Sequence, residues 1–160
     1  MFSKNTRIIQ VNLNRSLPAT ESALQIAIEL NIDIIAVQEP CIINNRELNR
    51  LEDYTTARSV NHSSFIQILP LHGKLRPRTL FYISRNYSLL TSISPSSPID
   101  PDCLLLDISE GNKKIQLINI YNRKELLRKL SIFENLLKYT KPRYKKERTY
   151  KTTLLGPYNT

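Results

Sequence analysis

Apolar and polar positions change period several times along the chain, and each change marks an element. Residues 7–13, Arg-Ile-Ile-Gln-Val-Asn-Leu, alternate after Ile8-Ile9 and predict a strand. Further on the period lengthens: Leu24, Ala27, Ile28 and Asn31 recur at i, i+3, i+4 and i+7, which predicts a helix over 21–30. Thr20 is placed to cap it, Glu21 suits its first turn, and Asn31 suits its end. Asp33-Ile34-Ile35-Ala36-Val37-Gln38-Glu39-Pro40 is then an unbroken apolar run closed by Gln38-Glu39 and stopped by Pro40. Such a run reads as a strand buried on both faces. Strand, helix and strand in this short span form a βαβ unit, so the two strands should lie near each other and parallel. Asn12 and Glu39 then share one carboxyl edge of a sheet, where open α/β sheets place their chemistry. Taken alone, Glu39 also reads as a solvated strand-end acid, and Asn12 as the cap of the turn after its strand.

The remainder is mixed in type. Residues 41–63 are polar and irregular, with room for a short helix at 46–51. Strands are expected at 65–69 and 79–83, and a weaker one at 87–93. Between the first two lies a basic loop over 70–77, with His72, Lys74 and Arg76, and Arg78 just after it. The turn-rich stretch 94–101 reads as a connector within one domain, and 103–108 and 115–121 as strands around a hairpin turn at 109–112. Residues 125–139 place Leu126, Leu127, Leu130, Phe133, Leu136 and Leu137 on one helical face. A short strand at 152–155 leads into Gly156-Pro157-Tyr158-Asn159-Thr160. One βαβ unit, then hairpin-linked strands, then helix and strand predict an α/β fold of two packed mixed β-sheets with flanking helices.

Composition narrows the class. At 160 residues, 41% of them hydrophobic, the chain suits a single domain over 1–160 with a real core. No apolar run approaches the ~18 residues that span a bilayer, and the first residues lack the apolar stretch of a signal peptide. Cys41 and Cys103 suit a reduced, intracellular protein and are too few for a zinc site. The net charge of +9 is unevenly spread. Residues 1–122 hold twelve Lys/Arg against eleven Asp/Glu, whereas 123–160 hold eleven against three. The excess is densest at Lys141, Arg143, Lys145, Lys146 and Arg148, within a basic insertion or linker at 140–151. Such a block could neutralise a phosphate backbone, or it could be a solvated linker without a partner. Nothing in the sequence points to an obligatory protein partner.

Four stretches together resemble the endonuclease/exonuclease/phosphatase superfamily, whose fold is that of deoxyribonuclease I. They are Ile9-Gln10-Val11-Asn12-Leu13-Asn14, Asp33 to Pro40, Leu117-Ile118-Asn119-Ile120-Tyr121-Asn122, and Leu154-Leu155-Gly156-Pro157-Tyr158-Asn159. The Gln-Glu-Pro ending and the basic strand start from Arg76 to Ser84 are similar to the endonuclease domain of non-LTR (LINE-like) retrotransposons. The resemblance runs from residue 7 to 160 and spans the front two-thirds of such a domain, so a four-layer α/β sandwich incomplete at its carboxyl end is expected.

The resemblance implies a site. Glu39 matches the family's ligand for Mg²⁺ (or Mn²⁺), a hard cation that takes carboxylate oxygen and keeps several waters. Asn12 matches the Asn that helps orient that carboxylate and the scissile phosphate, Tyr121 a Tyr near the phosphate oxygens, and Asn159 the Asn of a Gly-Asp-Phe-Asn motif. Read without the resemblance, Tyr121 is also a strand-end aromatic packed on the second helix. The implied reaction is metal-assisted hydrolysis of DNA phosphodiesters, with Arg76, Arg78 and the basic segment on the phosphate backbone and a nuclear site of action for a retroelement enzyme. Pro157 stands where the family has Asp and can neither accept nor carry a proton, and no Ser-Asp-His-like motif is present. His62 and His72 read as loop histidines. The alternative implied by these departures is a catalytically dead fragment that still binds nucleic acid.

Overall fold

The computed structural model describes residues 5–43, 57–70, 75–121 and, as backbone, 151–155. The expected helices at 46–51 and 125–139, His72, the basic segment 141–148, Pro157 and Asn159 lie outside them.

The first strand, β1 (Ile8–Asn12), is followed by α1 (Leu17–Glu29) and β2 (Ile34–Gln38). Strands β1 and β2 pair in parallel, with Ile8 opposite Ile34 and Asn12 opposite Gln38. The helix starts earlier than its apolar period indicates. Ser16, in extended conformation, is the N-cap; its Oγ accepts the Ala19 N–H at 3.2 Å, and Pro18 sits in the first turn, where a missing N–H costs nothing. Thr20 is therefore not the cap. It is buried one turn inside the helix and donates its hydroxyl to the Ser16 carbonyl at 2.7 Å. Leu24 and Ala27 bury as expected, whereas Ile28 is 37% exposed, since the buried stripe of the helix runs Thr20–Leu24–Ala27. Asn31 ends the helix in left-handed conformation (φ 51°). Its N–H reaches the Ile28 carbonyl and the Ile32 N–H the Ala27 carbonyl, the paired bonds of a Schellman motif.

Strands β3 (Phe65–Ile68) and β4 (Thr79–Ser84) complete a first sheet in the order β1-β2-β4-β3. Strands β5 (Leu90–Ile93), β6 (Cys103–Glu110), β7 (Lys113–Ile120) and β8 (Lys151–Leu155) form a second sheet in that order. The β6–β7 hairpin turns through Gly111, whose φ of +57° is a conformation L side chains rarely adopt. Strand β8 runs parallel to β7.

Burial on both faces explains the unbroken apolar run in β2. Ile34 and Ala36 point into the inter-sheet core with Phe81, Ile83, Leu104, Leu106 and Leu117. Ile35 and Val37 point the other way, against Leu24 and Ala27 of α1 and Leu80 and Tyr82 of β4. On the outer face of the second sheet, Cys103, Leu105 and Ile118 form a further buried cluster. The structure thus has the two packed mixed sheets expected from the pattern, with α1 covering the first.

One residue of this core carries a pH prediction. Tyr82 is buried and donates its hydroxyl to the Val60 carbonyl at 2.8 Å, and burial pushes its pKa up to about 12 from 10. Folding therefore favours the protonated phenol, so this contribution is whole below pH 10 and is lost as pH rises towards 12. The loss is on the order of 2–3 kcal/mol, at about 1.4 kcal/mol per pH unit. Denaturant unfolding of Tyr82→Phe should show a shallower fall in stability over that range than the unaltered chain.

Candidate functional site

The carboxyl ends of β1 and β2 are stitched together by the backbone. Leu13 N–H donates to the Gln38 carbonyl at 2.9 Å, Arg15 N–H to the Glu39 carbonyl at 2.8 Å, and Glu39 N–H to the Arg78 carbonyl at 2.9 Å. Asn14, Arg15 and Glu39 all take left-handed φ (45°, 60° and 46°), and among the described residues Asn31 is the one other non-glycine residue to do so. Such backbone is costly for L residues, and it clusters where a structure must aim particular groups. Asn12, exposed beside this turn, accepts the Asn14 N–H on its Oδ1 at 2.9 Å, so its side chain does cap the turn. The Glu39 side chain is 15% exposed, and the half-exposed Arg15 guanidinium lies 3.5 Å from its Oε1. At that distance, in contact with solvent, the pair is loose.

The second sheet brings its own groups to the same rim. Tyr121 follows β7, and its N–H donates to the Asp102 carbonyl at 2.7 Å. The Asp102 carboxylate is paired with the Arg78 guanidinium, which contacts it through Nε and through Nη2 at 2.7 Å. The same guanidinium lies 5.6 Å from the centre of the Tyr121 ring. Two buried amides tie the sheets together here. Gln38 Nε2 donates to the Ile120 carbonyl at 2.6 Å, and Asn119 Nδ2 donates to the Val37 and Leu80 carbonyls at 2.9 and 3.0 Å. Glu39 and Tyr121 are each the residue directly after one end of such a tie. Strand β8 places Leu155 opposite Asn119, so it too ends at this rim.

Of the residues singled out by sequence, Asn12, Glu39, Arg78 and Tyr121 are thus brought to one rim. Arg76 is half-buried before β4, its Nε without a hydrogen-bond partner among the described residues. His62 lies before β3, at the opposite end of the sheet, where its Nδ1 accepts the Ser64 N–H at 3.1 Å and its ring meets Phe65. Asp102, Gln38 and Asn119 were given no role from sequence. Asp102 could have been found by the reasoning applied to Glu39, since it too is an acid flanking an apolar run. The two amides look, in sequence, like interruptions of apolar strands.

The donor set is one of oxygen. Glu39 offers a carboxylate at the rim, a hard donor of the kind Mg²⁺ takes while keeping most of its waters, and the Asn12 amide beside it holds the turn through its oxygen. No group of three or more His, Cys, Asp or Glu side chains is gathered among the described residues, so a closed protein cage is not what these residues form. Nor is any described helix long and apolar enough to cross a membrane.

No family model matches the chain, and no curated protein matches it in sequence. Among solved structures, the endonuclease domain of TRAS1, a telomere-specific non-LTR retrotransposon, is similar with a TM-score of 0.62 and 15% identity, over 84% of this chain and 55% of its own. AP endonuclease LMAP from Leishmania major aligns at TM-score 0.48 and 13% identity, over 81% of this chain and 44% of its own. A humanized D. rerio TDP2 aligns at 0.49 and 12%, over 86% and 57%. The chain spans about half the length of each of these structures. Two packed mixed sheets, a helix over the first and the superposition on the TRAS1 domain agree: the chain has the endonuclease/exonuclease/phosphatase-like fold, the α/β sandwich of deoxyribonuclease I.

Proposed function

We propose that the rim formed by Asn12, Glu39 and Tyr121 is a phosphodiester-hydrolysing site that acts on DNA with a divalent cation. The observation that carries this reading is the convergence of the three residues, which lie on three different strand ends, at one edge of both sheets. Glu39, with Asn12 beside it, would hold Mg²⁺ or Mn²⁺. When bound there, the cation balances charge that develops on the phosphate and the leaving oxygen. The chain's own residues do the rest. Backbone bonds on both sides of Glu39 fix the main chain from which its carboxylate reaches the rim. Asn12 offers its Nδ2 donors to the phosphate while Oδ1 holds the turn. Tyr121 presents its hydroxyl to a phosphate oxygen. Asn159 and the basic side chains Arg76, Lys141, Arg143, Lys145, Lys146 and Arg148 extend the contact to the phosphate backbone. The similarity of the TRAS1 endonuclease domain supports this reading, and a retroelement role would be exercised in the nucleus.

A second reading has its own observation. Pro157 stands where the resembling family has an acid, and the rim carboxylate of Asp102 is engaged by Arg78. Neither position then supplies a base for the attacking water, which favours a domain that binds DNA without cutting it. Incubating the full chain with supercoiled plasmid and Mg²⁺ separates the two. Nicked circles that disappear with chelator are expected for the first; salt-sensitive binding without nicking supports the second.

A further inference from the structure

Arg78 joins three parts of the rim. Its carbonyl accepts the Glu39 N–H, its own N–H donates to the Pro101 carbonyl at 2.9 Å, and its guanidinium grips Asp102 and covers Tyr121. One residue therefore touches the end of β2, the start of β6 and the exit of β7. From sequence alone its positive charge is an obvious candidate for a DNA phosphate. In the structure that charge faces a buried carboxylate that meets it through two guanidinium nitrogens. A fork already committed to one carboxylate has little left for a second anion, whereas its planar face is well suited to hold an aromatic ring. The Asp102 backbone completes the arrangement, because its carbonyl takes the Tyr121 N–H.

We infer that Arg78, locked by Asp102, is a positioning residue that sets the Tyr121 ring at the rim, and is not a contact to the DNA backbone. The inference rests on the proposed function for its purpose, since Tyr121 is the group being placed. The Arg–Asp–Tyr unit itself does not depend on catalysis. It separates the rim's charges into two kinds. Arg15 is half-exposed and loosely paired with Glu39 and stays available to an incoming phosphate, while Arg78 is spent inside the protein.

The test reads two quantities in the full chain. The first is the ring resonance of Tyr121 in ¹³C-tyrosine-labelled protein, assigned through Tyr121→Phe. The second is the salt dependence of binding to a short mixed-sequence DNA duplex. Arg78→Lys keeps the charge and loses the planar fork, and Asp102→Asn leaves Arg78 in place and loosens it. Both are expected to shift the Tyr121 resonance, and Arg85→Ala, at the exposed opposite end of the first sheet, is expected to leave it unmoved. Arg78→Ala is expected to keep the slope of log K against log salt, whereas loss of a phosphate contact lowers its magnitude by about 0.9. A Tyr121 resonance unmoved in both Arg78→Lys and Asp102→Asn overturns the inference, as does a slope reduced by about 0.9 in Arg78→Ala. If the chain neither binds nor nicks DNA, the nuclease reading fails, and the resonance shifts still decide the role of Arg78.

Discussion

Glu39→Gln is expected to reduce Mg²⁺-dependent nicking about a thousandfold while leaving the fold intact. The Glu39 carboxylate is the one charged oxygen donor that β2 delivers to the rim, and Gln keeps its shape but not its charge. A cation that stabilises developing phosphate charge is worth several kcal/mol, and each 1.4 kcal/mol is about a factor of ten in rate. The stability side is small. The bonds that hold residue 39 are made by its N–H and carbonyl, which the substitution keeps, and the contact with Arg15 is loose and solvated. A plasmid-nicking time course alongside a thermal melt checks both halves. A loss of nicking accompanied by an equal loss of folded protein would show a structural role for the side chain instead.

Asn119→Asp is expected to cause the largest loss of stability, about 3–5 kcal/mol. Asn119 is fully buried, and its Nδ2 donates to the carbonyls of Val37 and Leu80, residues that face each other across β2 and β4. Aspartate turns that donor into an acceptor aimed at two acceptors, and it buries a charge without a partner. Asn119→Leu should be milder. It gives up the two side-chain bonds, at about 0.5–1.5 kcal/mol each, but the Val37 and Leu80 carbonyls keep their partners in the β2–β4 ladder, and it removes the buried Asn119 Oδ1, which itself has no partner among the described residues. Denaturant unfolding that finds Asp no worse than Leu would contradict this assignment. The same amide, with Gln38, holds the two sheets in register beside Glu39 and Tyr121, so a milder variant that still folds should lose nicking as well.

Local pattern carried much of the fold. The unbroken run before Pro40 foretold a strand buried on both faces, and β2 is buried at every position. Parallel pairing of β1 with β2 followed from the strand–helix–strand order of a βαβ unit, and the structure puts Asn12 opposite Gln38 and Glu39 one residue beyond. The β6–β7 hairpin followed from Gly111. The helix start was misread, because apolar periodicity registers only the buried stripe. Leu17 and Pro18 belong to a first turn that faces solvent, and its cap, Ser16, acts through one hydroxyl. The site was legible to the extent that it lies within strands. Glu39 could be placed from its own run and from Asn12. Tyr121 and Arg78 could be named from the resemblance but not placed together, because no sequence pattern states that Arg78, Asp102 and Tyr121, up to 43 residues apart, meet at one rim. The cross-sheet amides are invisible for the same reason: Gln38 and Ile120 are 82 residues apart, and only packing of the sheets joins them.

A divalent cation held at Glu39 would be seen by Mn²⁺ titration followed by NMR. Because Mn²⁺ broadens nearby resonances, it is expected to broaden those of Asn12, Glu39 and Tyr121 at lower concentration than those of His62 at the opposite end of the sheet, and Glu39→Gln is expected to remove the effect. Broadening that spares these three residues, or that survives Glu39→Gln unchanged, would contradict a cation site at Glu39.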